Sequence, residues 1–208
     1  MFGIRSIRTQ FRAPASLCAR PSVALRMLNT PTIPSMETFR AEQAKRRQEI
    51  DAAVDAVAAL GYPAQSVLQQ NVAWGEIDQF RHVNNMHYIR WFESGRMHWL
   101  ECAKSTLSPK LYSDIATGAG VGFILATNYC RYKRPVNYPD TVLVAQGVLP
   151  LERDDRFAIK SAIYSVNQAA VVAEGEQSVV AYDYDRLCKA PMPTEMRQFV
   201  EAWAYTGK

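Results

Sequence analysis

Hydrophobic and polar positions along this chain change period several times, and each change marks an element. From residue 37 to 60 apolar side chains recur at helical spacing (Phe39, Ile50, Ala53, Val54, Val57 and Leu60), with Gly61 as a stop and Pro63 beyond it. The first half of that run, "RAEQAKRRQEID", is charged around much of its circumference. Residues 37–62 therefore read as a lead-in helix that is only partly packed. Strand signals occupy Val67 to Ile77. The period then switches. From Asn84 to Cys102 there is no proline and Gly95 is the one breaker, while Met86, Tyr88, Ile89, Trp91, Phe92, Met97, Trp99 and Leu100 place apolar groups nearly all round. That pattern predicts a helix of roughly 28 Å surrounded by other structure. A glycine inside a helix costs about 1 kcal/mol relative to alanine, so a strand or partner helix is expected to approach closely at Gly95.

After a loop containing Pro109, four strand-like runs succeed one another: "VGFILATNYCRYK" (121–133), "TVLVAQGVL" (141–149), "FAIKSAIYSV" (157–166) and "AVVAEGEQSVVAYDY" (170–184). The breaks between them, "RPVNYPD", "PLERDD" and "NQA", are short and turn-rich. They predict antiparallel neighbours, because parallel strands need long crossovers. The end, "PTEMRQFVEAWAYTGK", reads as a short helix capped by Thr194. One strand, one central helix and an antiparallel meander predict an α+β fold in which a curved sheet wraps around a long central helix. An ordinary α+β sandwich and a partly open barrel fit the same string.

A length of 208 residues gives room for one domain with a full core plus extensions, and 48% hydrophobic with 21% charged residues is ordinary for a globular chain. The net charge of +4 is unevenly spread. Residues 1–36 hold Arg5, Arg8, Arg12, Arg20 and Arg26 and no acid, which leaves 19 basic against 20 acidic residues in the remainder. Charge therefore gives no case for nucleic acid as a partner. The acid-free, Ser- and Ala-rich first 36 residues lack the continuous apolar core of a secretory signal. Their composition is that of a mitochondrial transit peptide, cleaved between Arg20 and Met36, so a matrix location is expected. A disordered tail kept soluble by its arginines is the alternative. Cys18, Cys102, Cys130 and Cys188 show no CxxC spacing, so neither a disulfide framework nor a zinc site is expected. No apolar run approaches the ~18 to 20 residues that span a bilayer, so no membrane span is expected.

The densest chemistry lies in "WGEIDQFRHVNNMHYIRWFESGRMHWLE" (74–101), which holds all three histidines, the adjacent Asn84 and Asn85, and Glu76 and Asp78 just ahead of the helix. Within it, "EIDQFRHVNNMHYIRWFESGR" resembles the signature of the hotdog-fold acyl-CoA thioesterases of the 4-hydroxybenzoyl-CoA thioesterase type. That signature is an acid, one residue, Asp, then His-Val-Asn-Asn, Tyr and an aromatic-Glu-x-x-Arg run. Downstream, "YKRPVNYPDTVLV" resembles the family's Tyr-x-Arg-Pro-Val-x-x-x-Asp turn, and "VVAEGEQSVVAYD" its Ala-Glu-Gly strand. The resemblance runs from about residue 68 to 200, in order. It implies a hotdog domain over 65–204, a homodimer or homotetramer with the active site between subunits, an acyl-CoA substrate and no cofactor. Two positions depart from the pattern: Arg81 stands where glycine usually precedes the histidine, and Glu76 where the first Asp is usual.

A thioester carbonyl needs a nucleophile, or a base that activates water, and donors for its oxyanion. The N-terminus of a long helix offers free N–H groups and the positive end of the macrodipole. Asp78 lies a few residues ahead and matches the family's catalytic Asp, while the Asn85 N–H matches the donor that polarises the carbonyl. The plain reading of Asp78 is a cap or dipole partner. His82 either tunes Asp78, contacts substrate or braces the loop, and Asn84 and Asn85 fix the helix start through their side chains. Glu93 and Arg96, spaced i to i+3, are expected to form a helix salt bridge. Because a related thioesterase branch uses a helix glutamate, Glu93 is a second candidate catalyst. Metal ligation by His82, His87 and His98 is not expected, since their spacing spreads them apart. Arg131, Lys133 and Arg134 are candidates for the phosphates of coenzyme A; a solvated hairpin end is the simpler reading. Two further functions fit the same residues. One is a hotdog hydratase or dehydratase that moves protons with Asp78 and His82. The other is a non-catalytic subunit of a mitochondrial assembly, docked through residues 37–50.

Overall fold

The computed structural model describes residues 33–207, so the transit-peptide expectation falls almost wholly outside the described residues. The chain divides after Phe39, and the unit from Arg40 onward holds the sheet. Helix α1, Met36–Ala59, buries only Ala53 and Val57, as its charged first half requires, and Gly61 ends it with a φ of 95°. Six strands follow: β1 Leu68–Asn71, β2 Val121–Tyr132, β3 Thr141–Val148, β4 Arg156–Ser165, β5 Ala170–Asp183 and β6 Cys188–Lys189. They form one antiparallel sheet in the order β1-β3-β4-β5-β2, with β6 paired to the end of β5 beyond the start of β4. The sheet curls around helix α2, Asn85–Cys102, and the architecture is a hotdog.

Alternation along β3 shows how the sequence builds both faces. Val142 and Val144 pack with Tyr88, Trp91 and Phe92 of α2, while Leu143 and Ala145 pack with Ala53 and Val57 of α1. A strand covered on both sides reads as a continuous apolar run, and every residue of β3 is buried. At the far end of α2, Trp99 meets Phe157 of β4 and Phe199 of helix α4, Thr194–Glu201. Phe92 is fully buried. Truncating such a side chain to alanine typically costs about 3 to 5 kcal/mol.

Several expectations need correction. The strand signals of 67–77 yield only β1, because a 3-10 turn at Trp74–Glu76 breaks the run before the bridge Ile77–Val83. The α2 helix is not covered all round: Tyr88, Trp91, Phe92, Gly95 and Trp99 are buried, whereas Met86 and Met97 are exposed. The supposed loop around Pro109 contains helix α3, Pro109–Thr117, with proline in its first turn and Gly118 closing it at a φ of 68°. Thr194 is the first residue of α4 rather than its cap; Pro193 holds that position and no side chain caps the helix. The close approach at Gly95 is real, since a Cβ there would lie 3.0 Å from Val144 and 3.2 Å from the Gln146 amide.

Candidate active site

The entrance to α2 is a tight hairpin. Ile77 and Val83 form a bridge, and inside it the Asp78 N–H donates to the His82 carbonyl at 2.9 Å. The Arg81 N–H donates to the Asp78 carbonyl at 3.0 Å. Gln79, Phe80 and Arg81 are then a three-residue loop whose last position must be left-handed. Arg81 adopts that conformation, with a φ of 66°. Glycine takes it without strain, which explains the residue usual in the resembled signature. Arg81 thus keeps the loop's shape at an energetic cost rather than changing it.

The Asp78 side chain closes the loop further: Oδ1 accepts from the Phe80 N–H at 2.8 Å. Its other oxygen, Oδ2, makes no hydrogen bond to the described residues and stays available. Two neighbours pin the helix start. Asn84 caps it, with Oδ1 accepting from the Met86 N–H at 3.1 Å, which is the structural role its side chain was expected to have. Glu76 accepts from the Ala73 N–H at 2.8 Å, and its second oxygen lies 3.5 Å from Nδ1 of His87. The "RPV" segment after β2 has a matching purpose, because the Val136 carbonyl accepts from the Val83 N–H at 2.8 Å. Asp140, at the end of the same motif, is buried and accepts from Thr141, Asn167 and Ser165, bracing the turn.

These elements enclose a cleft of about 620 Å³ lined by Asp78, His82, Asn85, Lys133 and Arg134 among others. Asn85 opens the helix, and its N–H donates to none of the described residues. The first turn carries no acid of its own, and the positive end of its macrodipole faces the cleft that the Asp78 carboxylate lines, with Glu76 held beside His87. His82 lines the cleft with an exposed side chain and braces the loop only through its backbone carbonyl. Lys133 also pairs with Glu174, which offsets part of its charge. Arg131, on β2, is not among the lining residues. Glu93 and Arg96 make no ion pair among the described residues, contrary to expectation. They line a separate groove farther along α2.

Sequence reasoning passed over the aromatic walls. Tyr88, Tyr132 and Phe80 line the cleft, and the Tyr132 hydroxyl donates to the Asn85 carbonyl at 3.2 Å. Both tyrosines stood inside the quoted motifs, where they read as core or strand residues. Burial pushes the Tyr88 phenol up to about 12 and raises Tyr132 as well, so both hydroxyls stay protonated near neutral pH.

Residues 72–200 match the family described as the thioesterase-like superfamily, and the chain belongs to that superfamily. A search of curated proteins found no match. Among solved structures, a protein of Pseudomonas aeruginosa strain PAO1 is 20% identical, covers 71% of this chain and 96% of its own, and superposes with a TM-score of 0.58. A 1,4-dihydroxy-2-naphthoyl-CoA thioesterase from Synechocystis is 17% identical over 64% of this chain and 93% of its own, with a TM-score of 0.55. A gentisyl-coenzyme A thioesterase is 20% identical over 64% of this chain and 98% of its own, with a TM-score of 0.53. At these identities the likeness establishes the fold.

Proposed function

We propose that this protein is an acyl-CoA thioesterase that hydrolyses a thioester to a free acid and coenzyme A. One observation carries the reading: Asp78, with one oxygen anchored and one free, lines the same cleft as the unpartnered Asn85 N–H. Asp78 removes a proton from water while the water oxygen adds to the thioester carbonyl. The Asn85 N–H and the helix dipole hold the oxyanion, a contribution of about 3 kcal/mol per donor in typical enzymes. The intermediate collapses by breaking the carbon–sulfur bond, and the departing thiolate takes the proton back from Asp78. If Asp78 attacks directly, the carbon–sulfur bond breaks as an acyl-aspartyl anhydride forms, and the coenzyme A thiolate leaves and takes a proton from solvent. Water then opens the anhydride to the free acid and restores the Asp78 carboxylate. Lys133 and Arg134 sit at the cleft wall, where the phosphates of coenzyme A would meet them.

Two wider expectations belong to the same reading. The working unit is a homodimer or homotetramer, supported by the exposed edge strand β2 with Ile124, Leu125 and Tyr129 uncovered. The site of action is the mitochondrial matrix, supported by the acid-free, arginine-bearing first 36 residues. The test is free-thiol release from a panel of acyl-CoA thioesters by protein lacking residues 1–36. Release from at least one thioester is expected. Hydration of an enoyl thioester without thiol release would replace hydrolysis by the hydratase reading, and no turnover of any thioester would leave a non-catalytic subunit.

A further inference from the structure

Two turns that read as mere breaks between strands meet behind the wall of the cleft. The first, residues 133–140, carries Lys133, Arg134 and Pro135, which line the cleft. The second, with Asn167 and Gln168, joins β4 to β5. The Gln168 amide donates from Nε2 to the Pro135 carbonyl at 2.8 Å, and the Asn167 amide donates from Nδ2 to the Pro139 carbonyl at 2.7 Å. Proline has no N–H to give, so that carbonyl is the one hydrogen-bonding group of Pro135. The next carbonyl along, that of Val136, already holds the Val83 N–H in the hairpin that bears Asp78. Gln168 therefore grips the peptide that links the cationic pair to the catalytic hairpin.

The gripping residues are themselves fixed. The Gln168 N–H donates to Ser165 Oγ at 3.1 Å, and the Asn167 N–H donates to Asp140 Oδ1 at 3.2 Å. Ser165 in turn donates to the other oxygen of the buried Asp140. Arg46 of α1 reaches across from outside: Nη1 donates to Asn167 Oδ1 at 3.1 Å and Nη2 to Thr141 Oγ1 at 2.9 Å. Nη1 also meets Glu49 at 3.2 Å. A planar guanidinium that spans two acceptors sets orientation as well as distance.

Building on the thioesterase reading, we infer that Gln168 and Asn167 are positioning residues for coenzyme A, and that Arg46 holds them in register. None of the three lines the cleft. They act through Lys133 and Arg134, by fixing the backbone from which those two charges project. A displacement of about 1 Å at a binding group is enough to forfeit much of its effect. The lead-in helix thereby takes part in recognising the substrate without touching it.

Pantetheine shares the thiol arm of coenzyme A and lacks its phosphates, so the ratio of the two affinities, read by calorimetry on the full chain, isolates the cationic wall. The wild-type chain is expected to bind coenzyme A at least tenfold tighter than pantetheine. Gln168→Met keeps the length of the side chain and removes the amide, and should lower that ratio at least threefold. With an acyl-CoA substrate, KM should rise by the same factor while kcat moves less than twofold, a split that loss of stability alone does not give. Arg46→Met should lower the ratio too, and Arg46→Lys should restore part of it. Arg46→Met combined with Asn167→Ala should do no more than the larger single change, because the first acts through the second. Arg46 is partly exposed, so its variants decide the matter if Gln168→Met does not fold. The expected ratios in a protein that cleaves no thioester would defeat the hydrolase reading and leave the positioning roles standing. A ratio that keeps its wild-type value in either folded variant, or equal weakening of coenzyme A and pantetheine, overturns the inference while the hydrolase reading survives. Wild-type protein that binds the two ligands equally overturns it too.

Discussion

The Tyr132 hydroxyl donates to the Asn85 carbonyl at 3.2 Å, and its ring meets that of Tyr88 edge-on with centroids 5.0 Å apart. The strand that carries the downstream motif is thereby tied to the first residue of the helix whose N–H faces the cleft. Tyr132→Phe keeps the ring and removes the bond. Because Tyr132 is partly exposed, stability should fall by no more than about 1 kcal/mol. Thioester turnover should drop several-fold as the Asn85 peptide loosens, and kinetics with thermal unfolding would separate the two effects.

Asp78→Asn retains shape and can still accept the Phe80 N–H, but it removes the charge. A fall in kcat of at least ~10²-fold is expected, the usual scale for lost general-base assistance, with folding preserved. Glu93→Gln is the control on the alternative catalyst. If that variant collapses while Asp78→Asn still turns over, the catalyst lies on α2 and not in the hairpin.

Arg81→Gly should stabilise the protein. Relief of the left-handed conformation returns about 1 to 2 kcal/mol, and the extra freedom of glycine in the unfolded chain subtracts about 0.5 to 1 kcal/mol. A net gain of roughly 0.5 to 1 kcal/mol in urea unfolding is the expected result, whereas Arg81→Val should lose stability because a β-branched side chain tolerates that backbone poorly.

Alkaline stability should report on Tyr88. Its folded pKa of about 12 lies above the ordinary value of 10.0, so its extra contribution is intact below pH 10 and is lost as pH rises toward 12. The decline amounts to about 2 to 3 kcal/mol from this group. Tyr88→Phe should flatten the fall in unfolding free energy over that window; an unchanged slope would assign the loss to other groups.

The hairpins of the sheet were legible because their breaks carry proline, asparagine and aspartate, residues with a mechanical reason to sit in turns. The position of Gly95 was legible for a similar reason: a helix tolerates the cost only where something crowds it. The environment of α2 was not. Met86 and Met97 have the spacing of buried residues, yet they face outward, and apolar periodicity alone cannot say what covers a face. Helix α3 is not legible from the pattern, because a proline marks a loop and a first helical turn equally well. Asp78, His82, Asn85, Lys133 and Arg134 were legible by motif and do share one cleft. The part of Tyr132 and the lack of a Glu93–Arg96 pair depend on side-chain directions between elements, which no local pattern encodes.

The last turns of α1 occupy the back of the sheet, where Ala53 and Val57 cover Leu143, Ala145 and Ala162. That patch is consequently closed to company. A stack of two such molecules, back to back, has no bare apolar surface there to bring together. That face offers a partner only the charged outer side of α1, so a contact made there would be polar, whereas the edge of β2 still carries uncovered Ile124, Leu125 and Tyr129.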